Sequence, residues 1–284
     1  MNFLIKKASG EKEPFDLKKF KRSLKRCGAP NKIIMKIAKK IEKKTELRST
    51  KQIYEYAFDE LKKINPALAA RYNLKQSLIL FGPSGFPFEL FIAKIFQEQG
   101  YIVKRNQYVS GFCIQHELDL TAKKGNIHLM IECKFHNRQK YKSDVKIPLY
   151  IKARFDDVDK AWKLKPKHFK EFHQAWIATN TKFTSDAIRY SECAGIKLLD
   201  WKYPKKASLP LLIQKYTLYP ITTLTTLSLP EKKALIKKGL ILCRNIKQKE
   251  NTLKKIGLNA SARRHTIKEA VDLCKFNDIL NGHR

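Results

Sequence analysis

Six cysteines are too few and too scattered to frame this chain. They stand at 27, 113, 133, 193, 243 and 274 with no CxxC pair, which argues against a structural zinc site and against a disulfide framework. Buried thiols in a reducing cytoplasm are the expectation. No run of about 18 apolar residues occurs, so a membrane span is not expected. The opening residues, MNFLIKKASGEKEPFD, become charged too soon for a secretory core. Acid is also scarce, with 26 Asp and Glu against 59 Lys and Arg and a net charge of +33. Such an excess favours a polyanionic partner, because Lys and Arg gain by releasing counterions from phosphates. Charge alone does not separate DNA from RNA or acidic lipid, and a merely solvated lysine-rich surface is the plain alternative.

What is present points to more than one domain. The chain has 284 residues with 43% hydrophobic residues, enough for two or three packed cores. The acids are not spread evenly, since residues 81–200 hold 13 of the 26. Basic excess therefore dominates the two flanks, and the middle is where carboxylates gather.

Within that middle third, residues 115–134 read QHELDLTAKKGNIHLMIECK. Gly125-Asn126 separates two alternating apolar runs, and both residues readily take the positive φ of a two-residue turn, so an antiparallel hairpin is predicted. Period-two alternation puts Glu132 and Lys134 on one face, with Ile131 and Cys133 on the other. Asp119, near the end of the preceding strand, then meets Glu132. Two hard oxygen ligands suit Mg²⁺, and a lysine beside them can orient a water or steady charge on a phosphate. Charges on a solvated strand face are the ordinary alternative. Against it, Ile127, Leu129, Met130 and Ile131 mark this strand as central, where a charge needs a partner or a metal.

Ahead of it, Phe3-Leu4-Ile5, Ser9-Gly10 and Pro14-Phe15-Asp16 predict a small hairpin running into a helix capped by Asp16. Leu17, Phe20, Leu24 and Cys27 give that helix its apolar side. Further helices are expected over about 32–43, from a cap near Thr50 through Leu61, and after Pro66. This order resembles the ATP-cone, the nucleotide-sensing module of ribonucleotide reductases and of their transcriptional repressor. The carrying residues are IKKASG from Ile5 to Gly10, Glu13, FDLKKF from Phe15 to Phe20, Thr50, Ile53 and Ala70-Arg71-Tyr72. The resemblance implies ATP or dATP as a regulatory ligand, with Lys7 and Lys19 near the triphosphate and Glu13, Asp16 and Thr50 lining the pocket. The family's KRxG stands here as KASG, one basic residue short. A small basic helical DNA-binding domain without nucleotide is the alternative.

Phe81-Gly82-Pro83-Ser84-Gly85 is a compact break and marks a boundary. A helix over about 87–99 follows, with Glu89 among its apolar positions and read as a third carboxylate directed at the metal site. Next come a strand from Tyr101, the hairpin, a helix over about 148–162, a strand over 175–179, a helix over 185–193 and a strand over 196–199. This α-β-β-β-α-β-α-β order resembles the PD-(D/E)xK restriction-endonuclease-like fold, particularly its Mrr-like and Holliday-junction-resolvase branch. The matching marks are Glu89, Glu117-Leu118-Asp119-Leu120, Glu132-Cys133-Lys134, and Trp176-Ile177-Ala178-Thr179-Asn180 with Thr184. Many Mrr-like sites read QxK where this chain has Glu132. The resemblance implies a mixed sheet and Mg²⁺-dependent cleavage of DNA by a homodimer. The metal would be held by Asp119, Glu132 and the Cys133 carbonyl, with Glu89 and Lys134 completing the catalytic set. His116, Glu117, His136 and Asn137 flank that site. Lys152 and Arg154 are read as DNA-backbone contacts, as is the basic run Lys160, Lys163, Lys165, Lys167 and Lys170. Asp156, Asp157 and Asp159 are assigned no chemistry.

The last segment starts after Trp201-Lys202-Tyr203-Pro204 and carries the repeat ITTLTTL from Ile221 to Leu227. Ser228 should cap a helix over about 230–238, followed by helices over about 244–255 and from about Thr266. Such short helices resemble a helix-hairpin-helix module, although Leu227-Ser228-Leu229-Pro230 replaces the hairpin glycines; a helical appendage for dimerisation is the alternative. The expectation is a multidomain α/β chain, with an ATP-cone at 1–81, a nuclease domain at 82–203 and a small helical domain at 204–284. Its expected role is a Mg²⁺-dependent DNA endonuclease controlled by ATP or dATP, forming homodimers or nucleotide-dependent homo-oligomers in the cytoplasm, near the nucleoid. The rivals are a nucleotide-sensing DNA-binding regulator that does not cut, and an RNA-processing nuclease.

Overall fold

A computed structural model describes residues 3–7, 10–44, 46–138, 140–164 and 172–281, without the side chains of 276–281. The chain forms two compact units. One takes Met1–Lys75, Thr223–Lys232 and Cys243–Arg284; the other takes Gln76–Thr222 and Lys233–Leu242.

The first unit opens on a hairpin of β1 (Leu4–Lys6) and β2 (Lys12–Pro14), with Ile5 opposite Glu13. Asp16 then caps α1 (Leu17–Arg26) by accepting the Lys19 amide at 2.8 Å, as the sequence predicts. Helices α2 (Asn31–Glu42) and α3 (Thr50–Ile64) follow. The cap of α3 is Ser49, whose hydroxyl accepts the Gln52 amide at 3.2 Å, and a parallel bridge joins Lys6 to Ser49. Asn65 caps α4 (Pro66–Tyr72), and Pro66 costs nothing at a position whose N–H would be unpaired anyway. Ile5, Phe20, Leu24, Ile34, Ile37, Ile41, Ile53, Ala57 and Leu61 share one core.

The expected separate domain at 204–284 is not a body of its own. Residues 223–232 and those from 243 onward pack with the N-terminal helices, while 204–222 and 233–242 belong to the second unit. Two polar contacts fix this arrangement within the first unit. Arg71 donates to the Leu273 carbonyl at 3.1 Å, and buried Glu269 accepts the Thr225 and Thr226 amides at 2.7 and 3.0 Å. Sequence distance hid both contacts.

The second unit is built on α6 (Phe86–Glu98), which follows α5 (Leu74–Ile79), and a five-stranded sheet. Its strands are β3 (Ile102–Ser110), β4 (Gln115–Lys124), β5 (Ile127–Lys134), β7 (Gln174–Thr179) and β9 (Lys197–Leu199) in that spatial order. Between β5 and β7 lie β6 (Lys142–Ser143) and α7 (Lys146–Lys163); after β7 come β8 (Lys182–Phe183), which pairs with β6, and α8 (Ser185–Cys193). Strands β3, β4 and β5 are antiparallel, and β5, β7 and β9 run parallel, so β5 is the middle strand. Gly125 takes φ +55° at the β4–β5 turn. On one face Phe96 of α6 meets Trp176 edge-on at 5.4 Å; on the other, Ile151 and Val158 of α7 join Met130, Ala175 and Ile177.

The remaining helices are α9 (Leu209–Lys215), α10 (Leu229–Lys237), α11 (Glu250–Lys255) and α12 (Ala260–Asn281). Ser228 and Glu231 bond at the start of α10, close to the predicted cap. The helix expected over 244–255 shrinks to α11 behind two short turns, and α12 begins at Ala260 rather than Thr266, because Asn259 accepts the Ala262 amide at 2.9 Å. Among the described residues no helix is long and apolar enough to cross a membrane.

Candidate active site

The ladder between β4 and β5 runs from Lys124–Ile127 to Leu120–Ile131, so the next residues in register are Asp119 and Glu132. There a carboxylate replaces the carbonyl partner: Asp119 Oδ2 accepts the Cys133 amide at 2.7 Å. That bond holds Asp119 at the point where the two strands part. Glu132 sits beside Ile177 of β7 on the parallel side, with its side chain 13% exposed. Burial is the first cause that raises the proton affinity of both carboxyls, with mutual repulsion adding to it at Glu132. Lys134 opposes that rise at both, so its ammonium lies within their field, and among the described residues it makes no ion pair. Glu89 of α6 is half-buried, and its carboxyl is likewise raised, by burial first and then by Asp119. The structure thus brings Asp119, Glu132, Lys134 and Glu89 into one electrostatic neighbourhood.

A fifth charged side chain joins this group, one that the sequence suggests for the DNA backbone. Arg154 does not face solvent: its guanidinium is 10% exposed and donates to Glu132 Oε2 at 3.0 Å and to the Glu117 carbonyl. The α7 helix carries it two turns before Trp162, on the face turned to the sheet. The clue in the sequence was spacing, since Ile151, Arg154 and Val158 share one helical stripe. Lys152, also read as a DNA contact, pairs with Asp156 one turn along α7.

Asp157, for which the sequence suggests no chemistry, ties the β3–β4 loop to α7. It accepts the Cys113 amide at 2.8 Å and pairs with buried His116 at 2.8 Å. These bonds, the Cys113 amide foremost, hold its carboxyl down to about 2. Gly111 is required there, because a Cβ would collide with the Asp157 carboxylate and come within 2.7 Å of the Ile114 carbonyl. His116 is therefore a framework residue on α7's side of the sheet.

Beyond β5, buried Asn180 brackets His136, accepting its amide and donating to its carbonyl, both at 2.8 Å. Burial pushes the His136 imidazole down. Lys165, Lys167 and Lys170 lie outside the described residues. In the first unit Lys7 pairs with Glu13, Asp16 is engaged by the Lys19 amide, and Thr50 is the first residue of α3. The Lys6–Ser49 bridge brings the end of β1 to the start of α3.

The donors fit a hard divalent cation in kind. Asp119 and Glu132 are desolvated carboxylates whose raised proton affinity reflects charge that a cation would relieve. The Cys133 thiol alternates to the face of β5 opposite Glu132 and Lys134, and burial pushes it well above its usual range. Among the described residues no three His, Cys, Asp or Glu side chains are grouped tightly enough to hold a metal, and Glu89 is coupled to Asp119 through its charge. Arg154, with Lys134 nearby, supplies the positive charge that Glu132 has here.

Residues 83–203 match the family model described as restriction endonuclease, and residues 219–274 match the one described as AF1548-like, C-terminal. An uncharacterized protein of Archaeoglobus fulgidus is 39% identical over 180 residues, which are 63% of this chain and 97% of that protein. The chain belongs to the AF1548-like family. The crystal structure of AF1548, a protein of unknown function, is 36% identical, with a TM-score of 0.55 over 67% of this chain and 98% of that one. The MspJI restriction endonuclease in complex with a 27-mer oligonucleotide shares 13% identity over 54% of this chain and 36% of that one, at a TM-score of 0.31. This AF1548-like protein therefore carries a restriction-endonuclease-like domain built on a mixed sheet, and the β4–β5 carboxylates fall inside it. The ATP-cone resemblance lies outside both matched stretches.

Proposed function

We propose that this AF1548-like protein is a divalent-metal-dependent DNA endonuclease. The observation that carries the reading is the meeting of Asp119, Glu132 and Lys134 where the middle strand of the sheet ends, inside the domain matched to the restriction endonuclease model. Asp119, Glu132 and the Cys133 carbonyl would hold Mg²⁺. Such an ion supplies the positive charge that makes a water easier to deprotonate and offsets the charge growing on the phosphate. Asp119 is kept in place by the Cys133 amide and Glu132 by Arg154, so neither carboxylate has to reorganise when substrate arrives. Lys134 Nζ orients the attacking water or balances charge on a non-bridging oxygen. Glu89 supports the pair from α6. The +33 net charge supplies the attraction for DNA.

Nucleotide control by ATP or dATP is a second, separable part of the proposal. It is favoured by the hairpin-then-helices order of the first unit and by the bridge that sets Lys6 beside the capped start of α3. The chain then acts as a homodimer or as a homo-oligomer whose state responds to nucleotide. A regulator that binds DNA without cutting is the rival reading.

Plasmid cleavage in Mg²⁺, with EDTA as control, tests the core of the proposal. Asp119→Asn and Lys134→Ala should each lower the rate by about 10²-fold or more, with DNA affinity retained. Cleavage by Lys134→Ala at the native rate would remove that lysine from the mechanism, and no cleavage by the native chain on any DNA would favour the regulator.

A further inference from the structure

A cleft of about 530 Å³ opens directly beyond the catalytic strand, lined by Pro83, Phe135, His136, Asn137, Arg138 and Tyr141. Its place is set by its first wall. Phe135 follows Lys134, and a single point beside Gly85 lies 3.8 Å from Phe135 Cβ and 3.4 Å from Glu89 Oε1. The cleft therefore adjoins the carboxylate group.

Its aromatic floor is held rather than loose. Asn180, 1% exposed, fixes the His136 backbone from both sides, and Ser143, 2% exposed, meets His136 Nε2 at 3.1 Å. On that ring lies Tyr141, nearly parallel at 14° with centroids 6.0 Å apart, and itself 53% exposed. An exposed aromatic on a fixed partner offers a π-face at little entropic cost. Arg138 makes no ion pair among the described residues, and residues 133–143, CKFHNRQKYKS, carry four basic side chains and no acid. Stacking face, amide edge at Asn137 and unpaired guanidinium together match a nucleotide: base, base edge and phosphate. The volume lies within the range of small-ligand clefts.

We propose that this cleft receives one unpaired nucleotide of the DNA substrate, next to the phosphate to be cut. The preferred substrate is then a duplex with a displaced or bulged base. This rests on the nuclease reading. It assigns Tyr141 to stacking and Arg138 to the flanking phosphate, and neither to chemistry.

The test uses the full chain in EDTA, with a duplex carrying one bulged 2-aminopurine and the same duplex fully paired. The bulged probe should bind about tenfold more tightly than the paired one, or about 1.4 kcal/mol, with its fluorescence quenched on binding. Tyr141→Ala should remove both the preference and the quench while leaving paired-duplex affinity and paired-duplex cleavage unchanged; Tyr141→Phe should keep them. Equal affinity for the two probes, or an undiminished quench in Tyr141→Ala, overturns the cleft assignment while cleavage of paired DNA in Mg²⁺ leaves the nuclease standing. Failure of the native chain to bind or cut either probe overturns the nuclease reading, and the cleft assignment with it.

Discussion

At the end of β5, Glu132 and Arg154 are drawn out of water together, with side chains 13% and 10% exposed. On the β1–β2 hairpin, Lys7 and Glu13 meet with 35% and 34% of their side chains still exposed. Both are ion pairs, yet they do different work. In the first, desolvation raises the carboxyl, so the unit bears an electrostatic cost that only a nearby cation offsets. In the second, water screens both charges and either partner is easily surrendered. Buried charge that lacks full compensation marks a site built to receive something, whereas exposed paired charge marks a surface.

The largest expected effect breaks the buried pair. Arg154→Met leaves Glu132 without its cation in a desolvated position, and should cost about 3–5 kcal/mol in chemical denaturation. Adding Glu132→Gln removes the stranded charge, so the double variant should regain most of that loss. The same truncation at Lys7 should leave the unfolding midpoint where it was. An Arg154→Met chain as stable as the native one would mean that α7 does not hold Glu132, and the contrast between the two ion pairs would collapse.

Next in size is the Asp157 anchor, which sharpens the contrast because it is a partly exposed acid lowered rather than raised. The folded state holds its carboxyl near 2, below an ordinary aspartate of about 3.9. Its charged form is therefore favoured by folding, so the stability it gives is complete above pH 4 and disappears as pH falls through 2. Asp157→Asn should lower the thermal midpoint at pH 7 and converge on the native value near pH 2. Gly111→Ala should give a similar loss at pH 7, since its Cβ would displace the loop from the same carboxylate. For Asp119 and Glu132 the sign reverses: raised carboxyls penalise the metal-free fold at neutral pH, and acid relieves them from above the ordinary carboxylate range downward.

Much of this was legible in the residues. Alternation through Leu118, Leu120 and Ala122, the Gly125 turn and the apolar run at Leu129–Ile131 are local signals, and they located the hairpin, its central strand and the Asp119–Glu132 pairing. The capping signals of Asp16 and Ser228 are equally local. What escaped depends on contacts made far along the chain. Arg154 reaches back 22 residues to Glu132, Asp157 reaches 44 residues to Cys113, and Glu269 reaches 44 residues to Thr225. An arginine on a helix reads as a surface residue until the strand it covers is known. Likewise, nothing in the composition of residues 243–281 says that they fold with the N-terminal helices.

The smallest expected effect concerns the hairpin. If ATP or dATP binds the first unit, Lys7 must leave Glu13 and turn to phosphate, an exchange that costs little because the pair is half in water. Lys7→Ala and Lys19→Ala should then each weaken ATP binding about tenfold in titration calorimetry, with no change in folding and none in cleavage measured without nucleotide. Glu13→Gln separates two versions of the idea. Weaker binding means that the carboxylate contacts the nucleotide, and tighter binding means that it only competes for Lys7. A native chain that takes up no heat with ATP or dATP would leave the exposed pair as surface and nothing more.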